Sequence, residues 1–317
     1  MKNLNILYTA NHEYVKCMLV SIYSLLENNK ENNINIHVMY DNFDVFDFKL
    51  IEKIISEFEN ANVYFYDFKK IEPIIDEHNI PLWRGTKIAN ARVFFNEYIK
   101  NIDNLLYLDS DTIVVDNLKS LEKYPNTINM VADSMPTTHW KNLDIKLEKY
   151  CNSGVLWINV DKWNINNCDK KIIDLLESDI NYTYPDQDIL NMALKDDINL
   201  LPPEYNLFST DAYFNPYLLY KFYKRNNIER YSISEMKKAK NSPIILHATP
   251  FYFWRAWEEN EIHPYNEIYD YYLNKIYGEV KKEEGVISPN PLSFKLNLYS
   301  NLILPEKPKQ IIKKILK

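Results

Sequence analysis

Hydrophobic and polar positions fall in blocks of changing period along this chain. Residues 3–10, NLNILYTA, are a short run rich in Ile, Leu and Tyr that ends in the polar cluster NHEY, which predicts a strand. Over residues 15–29 the apolar positions are Val15, Met18, Leu19, Ile22, Leu25 and Leu26. That three-and-four spacing predicts a helix with one buried face, closed by Asn28 and Asn29. INIHVMY (34–40), FDFKLIEKIISEFEN (46–60) and ANVYFYDF (61–68) continue as strand, helix and strand. A β-α-β-α-β order implies a parallel sheet with helices on its faces.

TKIANARVFFNEYI (86–99) predicts a helix leading into the strand of LLYLDSDTIVVDNL (105–118). Beyond it, INMVADS, CNSGVLWINVDKW, QDILNMAL and PIILHAT alternate between strand-like and helix-like patterns, with no internal repeat. Past Trp257 the pattern becomes aromatic and helical, NEIYDYYLNKIY, and a soft boundary is expected there. The division is an α/β domain over 1–257 and a helical extension over 258–317. At 100° per residue, residues 309–317 place Ile311, Ile312, Ile315 and Leu316 in one arc and Lys309, Lys313, Lys314 and Lys317 opposite. That is a basic amphipathic helix suited to an anionic membrane surface.

With 46% hydrophobic and 26% charged residues, the chain has the balance of a soluble globular protein. Its net charge of −7 argues against nucleic acid as a partner, because phosphate contacts need clustered Lys and Arg. Cys17, Cys151 and Cys168 lack the paired spacing of a disulfide framework or zinc site, so a reducing cytoplasm is expected. The N-terminus carries no signal-peptide pattern and no run of about 18 apolar residues occurs, so any membrane contact is expected to be peripheral. Only four glycines occur, which makes each one informative.

The first chemical question is raised by Asp109 and Asp111, which interrupt an otherwise apolar stretch. On a strand, positions i and i+2 share a face roughly 6.5–7 Å apart, so both carboxylates would converge. Ionised carboxylates so placed repel unless one is protonated or a cation lies between them. In an open parallel sheet, ligands bind beyond the carboxyl ends of strands. Oxygen ligands at that edge suit Mg²⁺ or Mn²⁺, which also grip phosphate oxygens.

LYLDSDTIVVDNL resembles the metal-binding core of glycosyltransferase family 8, the retaining GT-A enzymes. ILYTANHEYV, ANARVFFNEYI, CNSGVLWINVDKW and YPDQDILN resemble that family's other blocks, in the family's order, across roughly residues 3 to 257. The resemblance implies a GT-A, Rossmann-like α/β fold with a mostly parallel central sheet. It also implies metal-dependent transfer of a hexose from a UDP-sugar to a saccharide or glycolipid of the cell surface. Asp109, Asp111 and His247 would hold the metal, and a nitrogen ligand favours Mn²⁺ over Mg²⁺. Thr9, Ala10, Asn11, Tyr14 and Ser110 would face the nucleotide. Arg92 would reach the sugar or diphosphate, and Asn152, Ser153 and Gly154 would form a tight turn approached by the ligand. Asp186 and Gln187 would flank the anomeric carbon, with Asp133 holding sugar or acceptor.

Three departures from the family pattern stand out. Asn11 replaces the usual Asp, Ser153 the commoner Ala, and the segment after His247, HATPFYFWRAW, lacks the family's Gly and Lys. Phe253 occupies the lysine's place, with Arg255 two residues on. Two rival readings remain at this level. DSDTI also resembles the D-x-D-x-T of haloacid-dehalogenase-like phosphatases, with Asp109 as nucleophile and Asp111 as acid/base. The chain would otherwise be a non-catalytic nucleotide-sugar-binding module.

Overall fold

Strand β1 (Asn3–Asn11), helix α1 (Val15–Asn28), strand β2 (Asn33–Asp41), helix α2 (Val45–Ser56) and strand β3 (Ala61–Asp67) follow the predicted order. This is a computed structural model that describes residues 3–137, 139, 149–178, 180–249, 253, 255–259 and 263–282, with 296, 299, 300, 302 and 303 beyond them. The amphipathic helix expected at 309–317 lies outside the described residues. The three strands pair in parallel. Helix α1 forms where the periodicity placed it, and Met18, Leu19, Ile22, Leu25 and Leu26 are fully buried. Each such side chain contributes about 1.5–3 kcal/mol of burial. Helix α2 starts at a reciprocal capping box between Asp44 and Asp47, which satisfies amides that the helix itself leaves free.

Seven strands make the main sheet in the order β3-β2-β1-β4-β7-β6-β8, adding β4 (Asn104–Leu108), β6 (Ile128–Ala132), β7 (Cys151–Asn159) and β8 (Ile198–Leu200). The sheet is parallel apart from β7, which runs against both of its neighbours. The mostly parallel α/β expectation therefore holds. A second, three-stranded sheet pairs β5 (Thr112–Val114), β10 (Ile245–His247) and β9 (Leu207–Phe208), with β10 in the middle. One apolar cluster joins α1, α2 and the small sheet to the main sheet, and a second fills the opposite face beneath α3 (Cys168–Leu176) and α4 (Pro185–Ala193). Helix α5 (Asn266–Tyr277) lies beyond the expected boundary at Trp257. Its Tyr269, Tyr272, Leu273 and Ile276 share the first cluster with β1 and α1.

One predicted element differs. Residues 86–99 were expected to be a helix, but Ile88–Phe94 is a 3₁₀ segment followed by a single α turn, Phe95–Tyr98. Burial runs without a break from Asn90 to Phe95, so no one-faced helix satisfies the segment. The Arg92 Nε–H also takes the Ala89 carbonyl, at 2.9 Å.

The two sheets are braced by a buried ion pair. Arg230 donates to Asp211 at 2.7 and 2.9 Å and to the carbonyl of Ala132, at the end of β6. Asp211 lies on the short helix Ser209–Tyr213 that follows β9, and Arg230 stacks over Phe208 at 4.9 Å. Arg230→Met leaves the Asp211 carboxylate buried and unpaired, so urea unfolding is expected to show a loss of about 3–5 kcal/mol. Arg230→Met combined with Asp211→Leu is expected to recover a large part of it. An unchanged midpoint in the single variant contradicts the bracing role.

Candidate active site

The chain leaves the main sheet at Leu108 and enters the small one at Thr112, and residues 109–112 are the turn between them. The Thr112 amide and hydroxyl donate to the Asp109 carbonyl, at 3.1 and 2.8 Å. Asp109 and Asp111 are therefore turn residues and not, as expected, i and i+2 of one strand. They converge because the turn faces β10, where His247 pairs with Thr112 and the Ala248 amide donates to the Asp111 carbonyl. Ligand atoms of Asp109, Asp111 and His247 all lie within 4.8 Å of one another. His247 Nε2 is 3.1 Å from Asp111 and 3.7 Å from Asp109.

Asn206 sets the tautomer of His247. Its amide nitrogen donates to Asn152 Oδ1 (2.9 Å), so its oxygen is the atom facing His247 Nδ1 at 2.8 Å. Nδ1 then carries the hydrogen and Nε2 points at the carboxylates, the orientation a metal-ligating imidazole needs. The electrostatics favour positive charge here. Burial opposes a proton on His247, but Asp111 and Asp109 outweigh it and raise its pKa. Burial also pushes Asp109 up, against the pull of Arg92, whereas for Asp111 burial is outweighed by His247 and its pKa falls. A spot that favours a proton among two carboxylates and an imidazole fits a divalent cation equally well.

The reversal of β7 brings its first residues beside the carboxyl end of β4. Asn152, Ser153 and Gly154 therefore sit in a strand and not in the tight turn expected, and the Asp109 amide donates to the Gly154 carbonyl at 2.8 Å. Gly154 is set by close approach. A Cβ there would stand 2.4 Å from His247 Cε1 and 2.7 Å from Asp109 Oδ2.

A polar network ties the remaining predicted residues to this point. Arg92 Nη1 lies 2.8 Å from Asp109 Oδ1 and 3.3 Å from Asp186 Oδ2, and it donates to the Ser153 carbonyl at 3.0 Å. Its guanidinium stacks 4.3 Å over Tyr107, whose hydroxyl donates to Asp109 (2.7 Å). The first turn of α4 presents Asp186, which accepts from the Ser153 hydroxyl at 2.7 Å, and Gln187. The Gln187 side-chain oxygen accepts from Asn152 at 3.0 Å and from the Ser153 amide at 3.1 Å. Asn152 also donates to Asp133 at 2.9 Å. Asp188 is turned away, accepting from the Thr183 and Tyr184 amides and lying 2.9 Å from His139 Nε2.

Two cavities meet over the carboxylate turn. The larger, about 440 Å³, is lined by Thr9, Ala10, Asn11, Tyr14 and Ser110. The smaller, about 300 Å³, is lined by Asp133, Asn152, Ser153, Asp186, Gln187 and His247. Arg92, Asp109 and Asp111 line both, with Trp83 and Arg84. The sequence-predicted residues thus gather in one cleft, with Gly154 packed under it. Asn11 Oδ1 is buried with no hydrogen-bond partner among the described residues. Phe253 is buried against Tyr213 and His263, whereas Arg255 lines the larger cavity near Tyr14.

Sequence reasoning missed Asn206, Tyr107, Trp83 and Arg84. Asn206 sits in a stretch without a recognisable pattern, because its role depends on contacts distant in sequence, whereas Tyr107 lies inside the recognised LYLDSD block and reads there as an apolar strand position. Gly85, one of few glycines, was a legible sign of the turn that carries Arg84.

Residues 5–261 match the model of glycosyl transferase family 8. A lipopolysaccharide 1,2-glucosyltransferase of Escherichia coli is 27% identical over 221 residues, which is 66% of this chain and 64% of that enzyme. The chain therefore matches less than two thirds of that relative's length. Glycosyltransferase GlyB of Streptococcus pneumoniae serotype 4 is 25% identical over 299 residues, 91% of this chain and 66% of that protein. Among solved structures, the galactosyltransferase LgtC in complex with donor and acceptor sugar analogues superposes with a TM-score of 0.65 at 20% identity, covering 86% of this chain and 96% of that one. The bifunctional glycosyltransferase WbbM gives 0.71 at 17% identity over 88% of this chain and 52% of that one. These likenesses establish the GT-A fold, and with its family model spanning residues 5–261 the chain belongs to glycosyl transferase family 8.

Proposed function

We propose that the chain is a retaining hexosyltransferase that moves a hexose from a UDP-sugar to a hydroxyl of a saccharide or glycolipid acceptor. The observation that carries this reading is the convergence of Asp109, Asp111 and His247 at the junction of two cavities. These three residues would hold a divalent ion, Mn²⁺ in preference to Mg²⁺ given the nitrogen ligand. When bound, the ion supplies Lewis-acid neutralisation of the departing diphosphate. The larger cavity takes the uridine, with Tyr14 offering its flat face and the unpartnered Asn11 Oδ1 accepting the imide N–H of uracil.

The smaller cavity takes the hexose. Asn152 and Ser153 hold the Gln187 side chain still, and Asp186 is held by Arg92 and Ser153, so both carry fixed dipoles or charge beside the anomeric carbon. Such preorganised groups stabilise an oxocarbenium-like transition state. On the retaining, front-face route the bond from C1 to the diphosphate oxygen breaks while the acceptor oxygen bonds C1 on the same face. The acceptor's proton passes to the departing phosphate oxygen. The similarity to a lipopolysaccharide glucosyltransferase and a galactosyltransferase supports a hexose donor and a surface glycan acceptor. The basic amphipathic pattern of residues 309–317 supports peripheral attachment to the inner, anionic face of the cell membrane. The phosphatase alternative rests on five residues, DSDTI, against a family match spanning 5–261.

A panel of UDP-hexoses assayed for Mn²⁺-dependent release of UDP is expected to find at least one substrate. Asp111→Ala or excess EDTA should reduce its turnover about a hundredfold or more. Turnover indifferent to both contradicts the metal-dependent mechanism, and tight UDP-sugar binding without any release favours the binding-module alternative. Gly154→Ala is expected to weaken Mn²⁺ binding at least about tenfold by calorimetry, because the new methyl collides with His247 and Asp109. Equal Mn²⁺ affinity would mean that the Gly154 approach does not shape the site. Truncation after Pro305 should release the protein from anionic liposomes while transfer to a soluble acceptor continues. Retention on the liposomes removes the tail from the account.

A further inference from the structure

The cleft carries more negative charge than it has free cations to balance. Asp109, Asp111, Asp133 and Asp186 line it, and the buried Arg92 is already engaged by Asp109, Asp186 and the Ser153 carbonyl. A divalent ion is offset by the two carboxylates that ligate it. An incoming diphosphate then adds at least two further negative charges, which call for another positive group.

Arg84 stands where that group is needed. Trp83, Arg84, Gly85 and Thr86 form a two-residue hairpin closed by reciprocal backbone bonds of 2.9 and 3.0 Å between Trp83 and Thr86. Both central residues have positive φ, 49° for Arg84 and 84° for Gly85, as a type I′ turn requires. Asn, Asp or Gly are the residues such a turn favours in the Arg84 position, so arginine sits there against the local backbone preference. Its guanidinium lies 5.5 Å over the Trp83 ring and it lines both cavities at their junction. Among the described residues no carboxylate is in ion-pair contact with it, and Asp109 and Asp111 line the same two cavities. Arg255, on the rim by Tyr14, lines the larger cavity and not the junction.

We propose that Arg84 contacts the donor directly, giving charge-assisted hydrogen bonds to the diphosphate where the two cavities meet. It thereby supplies positive charge at the junction, which the segment after His247 does not reach, since Phe253 is buried away from the cleft and Arg255 lines the larger cavity and not the junction. This inference rests on the UDP-sugar reading above, and it adds a substrate-contacting residue to it.

Arg84→Asn tests it, because asparagine suits the left-handed turn position and removes the charge. In calorimetry with Mn²⁺ present, the variant is expected to bind UDP about tenfold more weakly while uridine affinity changes less than about twofold. Arg84→Lys should restore part of the UDP affinity, and thermal unfolding of Arg84→Asn should match the native chain. Undiminished UDP affinity in Arg84→Asn, or an equal loss for uridine, overturns the proposal and leaves the donor reading standing if the native chain binds UDP. A native chain that binds no UDP overturns both.

Discussion

Confined negative charge is the constraint around which the site is arranged. Two carboxylates about 4 Å apart repel by about 4 kcal/mol at an effective dielectric of 20, and partial burial adds a desolvation cost. Asp109 and Asp111 tolerate this because Arg92 and His247 flank them, with ligand atoms of both carboxylates and of His247 converging within 4.8 Å. The surrounding polar contacts serve the same end. Tyr107 donates to Asp109, and Asn206 holds His247 with its other nitrogen toward the carboxylates.

The topology is what makes such a concentration achievable. A wholly parallel sheet would present carboxyl ends along this edge, whereas the reversed β7 presents an amino end. Its Asn152, Ser153 and Gly154 contribute amides, small side chains and a missing Cβ beside Asp109. The small sheet delivers His247 from the other side, so the turn at 109–112 is gripped by two sheets at once. Arg230 joins these layers below the site by linking Asp211 to the end of β6, one residue before Asp133.

Positive charge is distributed in the cleft by depth. Arg92 is buried and fully engaged, so it fixes geometry, while Arg84 and Arg255 sit on the rim with their guanidinium groups against aromatic rings. Stacked rim arginines keep their donors available to an incoming anion at little conformational cost. An inner cation engaged by protein groups is thus paired with outer ones that line the cavities.

The sequence alone determined the opening β-α-β-α-β unit, since the three-and-four spacing of α1 and the apolar strands encode local structure directly. It also named side chains that line the cleft, because Asp109, Asp111, Arg92, Asp186 and Gln187 stand in recognisable blocks. Tertiary structure decided how those blocks meet. Local pattern could not reveal that residues 109–112 turn between two sheets, since strand-like residues flank the turn on both sides. Nor could it reveal that Gly154 answers a steric demand from His247, more than ninety positions away, or that residues 88–94 take a tight 3₁₀ path because burial there has no period. Asn206 and Arg84 were silent for a related reason. A hydrogen bond across sheets, or a charge projected over a cleft, leaves no periodic trace along the chain, because the partner that gives it meaning arrives only on folding.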